Sequence, residues 1–186
     1  KERIRVIPNG VDLKLFDSIK QPEKEKRTIV YIGRIIPHKH VEDLVNAINI
    51  IKENRGDVRL KIIGGGQEVD KLVHLVGQLR LERNVRFFGS IDYQDLIREM
   101  KKSEVLVLPS TREGFGMVLV EAFACNVPCI AYRSDGVVDV IDDGKNGYLV
   151  EQRDIGKLAE KIRYLLDNKD VARKFARAGR IKTEKY

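Results

Sequence analysis

The chain has 186 residues, of which 42% are hydrophobic and 34% are charged, a composition that fits one globular domain with a real core and excludes collagen-like, low-complexity and wholly disordered proteins. Its 35 lysines and arginines outnumber 28 acidic residues, so the formal net charge of +7 favours anionic partners without specifying one. No apolar stretch approaches the roughly eighteen residues of a membrane span, and residues 1–10 lack the apolar centre of a signal peptide.

The chain opens with the apolar residues Ile4, Val6 and Ile7, followed by the stretch PNGVD and the polar run SIKQPEKEKR. Asn and Gly tolerate positive φ, so the first stretch is typical of a turn. The polar run is typical of an exposed connection between structured parts.

From residue 29 onward, short apolar runs that end near Gly or Pro alternate with apolar residues at helical spacing. The predicted strands are Ile29–Ile32, Val58–Ile63, Val85–Phe88, Val105–Leu108, Cys129–Tyr132 and Tyr148–Val150. The predicted helices are Val41–Ile51, Val69–Leu79, Asp92–Lys102, Met117–Ala124, Ile155–Leu166 and one from Asp170 onward. We also predict that Asn126 caps the helix that ends at Ala124, because Asn tolerates the left-handed conformation.

The predicted strands are rich in Val and Ile and lack a clean polar alternation, which is typical of a parallel sheet covered on both faces. The sequence therefore predicts a single α/β domain, a Rossmann-like doubly wound parallel sheet of about six strands with helices on both faces. No internal repeat is present, so solenoid architectures are excluded.

In such a sheet, ligands bind beyond the carboxyl ends of the strands, where the strand order switches. A glycine or another small residue follows almost every predicted strand, which lets a ligand approach the backbone, and the next helix offers unpaired N–H groups to an anion. A phosphate-bearing ligand fits, although glycine in such turns more often serves the backbone alone. The loops concerned are Gly33–Lys39, Gly64–Glu68, Gly89–Asp92, Ser110–Gly116 and Arg133–Val138.

Several common sites are excluded by their motifs. The run Gly64–Gly66 does not satisfy G-x-G-x-x-G, and no Walker A sequence is present. The histidines His38, His40 and His74 form no HExxH-type pair, and no acidic cluster has metal-ligand spacing. We therefore expect neither a resident cofactor nor a protein-bound metal.

Two glutamates flank a glycine-rich turn in the segment EGFGMVLVE. Glu121 follows apolar residues, and a buried carboxylate is costly unless it accepts hydrogen bonds or is ion-paired. The hydroxyl groups of a ribose would supply such bonds, and an Arg ion pair or a loop cap is the alternative. Glu113 in the loop could accept from sugar hydroxyls, while Gly114 and Gly116 leave backbone N–H groups free at the start of the helix.

Arg34 and Lys39 lie five positions apart in the loop after the first strand of the alternation. Both could converge on one diphosphate and neutralise the charge that develops as it leaves. The alternative is that both are solvated surface cations.

Residues 151–186 contain eleven basic and six acidic residues, so this tail carries +5 of the net +7. A solvated helix face is the favoured interpretation of this excess. The alternative is attraction to an anionic membrane surface or to nucleic acid.

Six motifs occur in order over nearly the whole chain, and together they resemble the C-terminal, donor-binding half of the retaining GT-B glycosyltransferases of family four, the glycosyl transferases group 1. The E-x7-E pair in EGFGMVLVE is the most specific part of this resemblance. The motifs are IPNGVD, YIGRIIPHK, IIGGGQE, VRFFG, VLPSTREGFGMVLVEAFACNVPCIA and DDGKNGYLV.

The resemblance implies transfer of a sugar, of hexosyltransferase type, from a nucleotide-diphosphate sugar to a glycan, lipid or small-molecule acceptor with retained configuration. It implies front-face substitution, in which the departing diphosphate assists deprotonation of the acceptor. By the same resemblance Arg34 and Lys39 bind the diphosphate, Glu113 contacts the donor sugar and Glu121 holds the ribose. The other implied donor-binding positions are Gly33, Gly114, Phe115, Gly116 and Met117, with Gly64 and Ser90 near the base.

The chain departs from the family's usual pattern at four positions. His40 replaces a Gly, Asn126 replaces a Gly, Asp135 replaces the first Gly of a pair, and Asp139 replaces a Glu. Asn126 should be harmless, whereas Asp135 adds negative charge near the implied donor loop.

The resemblance also implies that the acceptor-binding N-terminal half is absent from this chain and that residues 1–27 form the interdomain connection. We expect the isolated half to fold but not to catalyse transfer, since half of the positioning is absent. Two alternatives remain, a basic α/β module for nucleic acid or a membrane surface, and a nucleotide-sugar epimerase or phosphorylase on a related scaffold.

The cysteines Cys125 and Cys129 lie in apolar surroundings, where neither a disulfide framework nor a Cys-rich zinc site is plausible. A reducing compartment is therefore expected. We expect a cytoplasmic protein, with peripheral contact to the inner face of the membrane as an option and no nucleic acid as a partner.

Overall fold

The computed structural model describes residues 9–53 and 55–185. The predicted apolar start at Ile4, Val6 and Ile7 lies outside the described residues. The strands are β1 Thr28–Ile32, β2 Arg59–Ile63, β3 Val85–Gly89, β4 Val105–Leu108, β5 Cys129–Tyr132 and β6 Gly147–Val150. The helices are α1 Leu13–Ser18, α2 Val41–Lys52, α3 Val69–Gln78, α4 Tyr93–Lys102, α5 Met117–Ala124, α6 Asp135–Val140, α7 Ile155–Asp167 and α8 Lys169–Thr183.

The six strands form one sheet in the order β3-β2-β1-β4-β5-β6, and every neighbouring pair is parallel. Ile29 on β1 lies opposite Leu60 on β2 and Val105 on β4. The strand order changes direction between β1 and β4, so these two strands flank the switch point where ligands bind in doubly wound sheets.

Helices cover both faces of the sheet, which confirms the predicted doubly wound α/β fold. Strands β1, β4 and β5 are buried at every position, because apolar side chains on both of their faces meet a helical layer. Helix α2 packs against α3 and α7, and α5 packs against α8. The described residues thus share one hydrophobic core.

The segment Arg133–Val138 was predicted as a loop, and this prediction is wrong, because helix α6 begins at Asp135 within it. Ser134 has the extended backbone of a helix N-cap, and Val137 and Val140 are buried at helical spacing. A glycine in the first turn and a run of β-branched residues, both poor helix formers, hide this helix from pattern analysis.

Helix α1 lies inside the stretch that was expected to be a connection. Asp12 caps it by accepting hydrogen bonds from the backbone N–H groups of Lys14 and Leu15, and Phe16 is buried. The side chain of Lys101 on α4 donates to the carbonyl oxygens of Phe16 and Ile19, at 2.8 and 2.6 Å. These contacts fix α1 to the domain, and the role of residues 1–27 as an interdomain connection stays a prediction.

The end of α5 follows the prediction. Asn126 adopts a left-handed conformation, with a φ of 54°, directly after the helix, and Val127 returns a backbone hydrogen bond to Ala122. Cys125 and Cys129 are buried free thiols, and burial raises the pKa of the Cys125 thiol to about 12.

Candidate functional site

A cleft of about 350 Å³ opens beyond the carboxyl ends of β1 and β4. It therefore lies at the switch point of the strand order, where the general rule for these sheets places a ligand. Its walls come from the loops after β1 and β4 and from the start of α6. The lining residues are Arg34, His38, Lys39, Thr111, Arg112, Glu113, Gly114 and Asp135.

Lys39 and Glu113 form an ion pair across the cleft, with 2.5 Å between Nζ and Oε1. Both side chains are 13% exposed, so the pair is shielded from solvent more than a surface salt bridge is. The backbone N–H of Thr111 donates to the carbonyl of His38 at 3.0 Å, which ties the two loops together. The two loops therefore bring a cation and a carboxylate, 74 residues apart in sequence, into contact.

Two further cations line the cleft. Arg34 and Arg112 are exposed, and neither forms an ion pair with any side chain within residues 9–53 and 55–185. The carbonyl of Arg34 accepts a 2.7 Å hydrogen bond from the hydroxyl of Tyr31, and burial raises the pKa of that phenol. The backbone at Arg34 is thus anchored while its guanidinium is left available to an anion.

The loop that carries Glu113 rests on α6. A Cβ atom at Gly136 would lie 2.3 Å from the carbonyl oxygen of Gly114, and the N–H of Gly136 donates to the carbonyl of Glu113 at 3.2 Å. Only glycine allows this approach of one backbone to another. Asp135, one of the four departures from the pattern of the family that the sequence resembles, lines the cleft one position earlier.

Helix α5 begins directly beside this loop. Gly116 precedes it with a φ of +77°, a conformation that favours glycine, and no side chain in the described part of the chain caps the helix. The N–H of Leu119 donates to the carbonyl of Gly116 at 2.8 Å, so the N–H groups of Met117 and Val118 are the ones available for an anion or a hydroxyl oxygen. Phe115 is partly buried and packs against the core.

Glu121 lies one to two turns into α5 and is half-buried. The hydroxyl of Tyr93, at the start of α4, donates to its Oε1 at 2.9 Å. Burial raises the pKa of Glu121, and the hydrogen bond from Tyr93 opposes this shift. Among the described residues no Lys or Arg forms an ion pair with Glu121, so the Arg ion pair that was considered as an alternative is not observed.

The loops after β1, β2 and β3 lie side by side at the same edge of the sheet. The N–H of Gly33 donates to the carbonyl of Ile63 at 3.0 Å, and that of Gly64 donates to the carbonyl of Gly89 at 2.8 Å. Ser90, next to Gly89, is exposed.

The structure thus divides the predicted site residues into two groups. Four of them line the cleft, namely Arg34, Lys39, Glu113 and Gly114. The others lie on adjoining loops or on α5 without lining it, namely Gly33, Gly64, Ser90, Phe115, Gly116, Met117 and Glu121.

The sequence reasoning missed two residues at this edge. Arg112 directly precedes Glu113, and its place in the same loop was a usable signal. Tyr93 follows the loop Gly89–Asp92, but its contact with Glu121 joins residues 28 positions apart, and no sequence pattern reports that contact.

His40, which replaces a family Gly, has a left-handed backbone with a φ of 45°. Its Nδ1 lies 3.1 Å from Oε1 of Glu42 and also contacts the guanidinium of Arg153. Arg153 is itself left-handed, with a φ of 68°, and lies 3.2 Å from Oδ1 of the buried Asp43. These contacts hold His40, which directly follows Lys39, in a left-handed conformation that normally favours glycine.

Residues 9–53 and 55–185 contain neither a candidate metal site nor a candidate membrane-spanning helix. No group of three or more His, Cys, Asp or Glu side chains is arranged to hold a metal ion. None of the helices there combines the length and the hydrophobicity that crossing a bilayer requires.

The family described as glycosyl transferases group 1 has a sequence model that matches residues 14–182 of this chain. The whole chain is 32% identical to a protein of Methanocaldococcus jannaschii named as an uncharacterized glycosyltransferase, and it covers 50% of that protein. It is 30% identical, over 95% of its length, to the glycogen synthase of Mycobacterium tuberculosis, of which it covers 43%.

Two solved structures are also similar. A mutant of TarM from S. aureus, in complex with fondaparinux, alpha-GlcNAc-glycerol and UDP, has a TM-score of 0.87 and 27% identity, over 97% of this chain and 36% of that one. Sucrose-phosphate synthase from Thermosynechococcus elongatus has a TM-score of 0.84 and 30% identity, over 97% of this chain and 47% of that one. These matches confirm the predicted fold as one half of a GT-B fold.

The chain spans about half the length of the curated relatives that it matches. Its family match extends from α1 to the last turn of α8. The chain therefore belongs to the glycosyl transferases group 1 family.

Proposed function

We propose that the chain is the donor-binding half of a retaining glycosyltransferase and binds a nucleotide-diphosphate sugar. The observation that carries this proposal is the convergence of Arg34, Lys39 and Glu113 in one cleft at the switch point of the sheet. An acceptor-binding half, preceding this chain and joined through residues 1–27, would supply the acceptor.

The diphosphate is assigned to the cations of the cleft. Arg34 and Arg112 are available to phosphate oxygens, and Lys39 would exchange its carboxylate partner for phosphate when a donor binds. Charge-assisted hydrogen bonds to phosphate are about twice as strong as neutral ones. These hydrogen bonds strengthen as negative charge builds on the departing diphosphate. The three cations would therefore favour cleavage of the bond between the sugar and the diphosphate.

The donor sugar is assigned to Glu113 and the start of α5. Glu113, freed from Lys39, accepts hydrogen bonds from sugar hydroxyls, and the N–H groups of Met117 and Val118 would donate to sugar or phosphate oxygens. This divides the pocket into an anion-binding end and a hydroxyl-binding end.

The reaction that we propose breaks the bond between the anomeric carbon and the diphosphate oxygen and forms a bond from that carbon to the acceptor oxygen on the same face. The proton of the acceptor hydroxyl passes to the departing diphosphate. The resident side chains bind and neutralise, and they form no covalent intermediate. No bound metal or cofactor is required by this scheme.

The ribose is assigned to Glu121, whose carboxylate accepts hydrogen bonds from the ribose diol. TarM was crystallised with UDP, which supports a nucleoside diphosphate as the ligand. A relative from Corynebacterium glutamicum that is 32% identical carries GDP-mannose in its name, so the family relationship leaves the base open.

The test is thermal unfolding of the chain with UDP, GDP, ADP or CDP at millimolar concentration and fixed salt. A ligand that binds only the folded state, with a Kd of about 0.1 mM, stabilises it by about 1.4 kcal/mol at 1 mM. We expect one nucleoside diphosphate to raise the midpoint above the others, and Glu121→Ala to abolish the shift. Glu160→Ala, at an exposed position on α7, is the matched control. A flat panel for the wild-type chain contradicts the proposal.

Retention is tested with the complete protein. The anomeric configuration of the first product, followed by NMR before it mutarotates or is extended, should match that of the donor. An inverted product contradicts the proposed stereochemistry while leaving donor binding intact.

We also propose a cytoplasmic location with peripheral contact to an anionic membrane, supported by one feature of α8. Lys174, Arg177 and Ile181 are exposed at helical spacing on one stripe, and Ile181 is 63% exposed. A basic stripe with an apolar residue suits the surface of an anionic bilayer. Co-sedimentation with phosphatidylserine vesicles should exceed that with phosphatidylcholine vesicles, and equal binding contradicts this proposal.

A further inference from the structure

Tyr93 has no role in the proposed function, yet it is held in a defined place beside the donor site. It is the first residue of α4, and 45% of its surface is exposed. Its ring meets the ring of Phe16 edge-on, with 6.2 Å between the centroids and an angle of 90° between the planes. Phe16 is buried and so provides a fixed support for a ring that is otherwise open to solvent.

The other end of Tyr93 is fixed by Glu121. The Tyr93 hydroxyl donates to Oε1 of Glu121 at 2.9 Å, while Oε2 has no hydrogen-bond partner within residues 9–53 and 55–185. One oxygen of the carboxylate is therefore occupied by the protein, and the other is left to accept from a ligand.

Apart from the Tyr93 hydroxyl, little in the described surroundings of Glu121 stabilises its ionised form. Burial raises its pKa, and the hydrogen bond from Tyr93 lowers it. Within residues 9–53 and 55–185, Cys125, directly after α5, is the other titratable group that interacts with Glu121, and its thiol is neutral because burial raises its pKa to about 12. Among the described residues, the group that favours the carboxylate form is the Tyr93 hydroxyl.

We propose that Tyr93 is a positioning residue for nucleoside recognition, because its hydroxyl holds Oε1 of Glu121 and leaves Oε2 directed to the ribose diol of a nucleoside diphosphate. This inference rests on the proposed function, in which Glu121 binds ribose. It adds that the site discriminates ribonucleotides from deoxyribonucleotides through a carboxylate that a phenol on another helix holds in place.

The experiment compares the wild-type chain with Tyr93→Phe, which removes only the hydroxyl. The matched control is Tyr164→Phe, which alters a tyrosine of similar exposure, 42%, on α7. Dissociation constants for UDP and GDP and for their 2′-deoxy counterparts are measured by calorimetric titration from pH 5 to pH 8.

We expect Tyr93→Phe to weaken binding of the preferred ribonucleotide by about three- to tenfold at neutral pH, the range for a typical single hydrogen bond, because the lost bond acts on the ligand only through Glu121. The affinity for the 2′-deoxy nucleotide should fall less, so the ratio of the dissociation constants for the deoxyribonucleotide and the ribonucleotide should decrease. The loss should grow as the pH falls, because Glu121 without its donor takes up a proton at higher pH. Tyr164→Phe should match the wild type throughout.

Repeating the titrations in a Glu121→Gln variant distinguishes a positioning role of Tyr93 from a merely structural one. Glutamine does not titrate, so adding Tyr93→Phe to it should cause no additional pH-dependent loss. If Tyr93→Phe binds like Tyr164→Phe at every pH, or if its loss is unchanged in the Glu121→Gln background, the inference is overturned and the proposed function stands. If the wild-type chain binds no nucleoside diphosphate, the proposed function fails, and this inference fails with it.

Discussion

Two regions of the molecule carry positive charge. One is the cleft beyond β1 and β4, and the other is the tail, residues 151–186, which contains α7 and α8. In the cleft, Lys39 is largely shielded from solvent, and Arg34 and Arg112 converge with it on one cavity. Most cations of the tail are instead paired with carboxylates, and these paired cations do not line the cleft. Exposed charges are screened by salt and their pairs contribute little, so convergence on one cavity, not the amount of charge, marks the anion site.

The change with the largest expected effect removes the support of the cleft. In Gly136→Ala, the new Cβ would lie 2.3 Å from the carbonyl oxygen of Gly114, so the Glu113 loop or α6 must move. We expect a loss of about 1–3 kcal/mol in the free energy of unfolding and loss of nucleotide binding, measured by urea denaturation and calorimetry.

Gly114→Ala is the stability control for this prediction, because a Cβ there meets no atom within 4 Å. Its free energy of unfolding should stay within about 0.5 kcal/mol of the wild type. Equal stability of the two variants would show that the cleft does not depend on the contact between the two loops.

The next largest effect tests whether the cleft binds through its charge. Lys39→Met removes the cation and leaves an apolar chain of similar length. Because hydrogen bonds to charged groups contribute about 1.5–3 kcal/mol, UDP affinity should fall by roughly 10- to 100-fold while the weak binding of uridine is unchanged. Lys71→Met, at a side chain that is 74% exposed on α3, should change neither affinity. An equal loss for UDP and uridine would contradict the assignment of Lys39 to the diphosphate.

The architecture of both regions could be predicted from sequence because it depends on local patterns. The strands Val105–Leu108 and Cys129–Tyr132 and the helix Met117–Ala124 have the predicted bounds, since apolar periodicity and flanking Gly or Pro report burial directly. Helix α6 was missed because its burial is carried by Val137 and Val140, whose β-branched side chains equally suit a strand.

The partners of the site residues could not be predicted in the same way. Lys39 was expected at the diphosphate, but its ion pair with Glu113 depends on the tertiary path of two loops. Glu121 was expected to need a donor, and the structure supplies the hydroxyl of Tyr93, which is none of the three partners considered from sequence. Residue type thus indicates which groups a carboxylate requires, and the fold determines which neighbour provides them.

A smaller effect concerns pH and stability at Glu121. Burial raises the pKa of this carboxyl in the folded chain, so the folded state retains a proton that the unfolded state has lost. The protonated carboxyl therefore contributes to the free energy of unfolding at low pH, and this contribution is lost as the pH rises through the folded-state pKa. Glu121→Gln mimics the protonated form, so the variant should unfold at roughly one to a few degrees higher than the wild type at pH 8.

The difference in unfolding temperature between Glu121→Gln and the wild type should vanish below the unfolded-state pKa of a glutamate, about 4.3. Thermal unfolding from pH 4 to pH 8 measures it, with Glu53→Gln as an exposed control that should follow the wild type. A variant that is less stable than the wild type at pH 8 would mean that the ionised carboxylate is favoured by its surroundings.

The smallest expected effect tests the tail itself. In the double variant Lys174→Ser with Arg177→Ser, two exposed cations of α8 are removed, and exposed substitutions of this kind change stability by at most about 0.5 kcal/mol. If screening confines their influence to about 10 Å at 0.1 M salt, the nucleotide Kd should stay within about twofold of the wild type at both 50 and 200 mM salt. A tenfold loss at 50 mM that disappears at 200 mM would show that the tail attracts the anionic ligand over a distance. The contrast between the two basic regions would then be one of range, with the tail raising the local concentration of the anion and the cleft binding it.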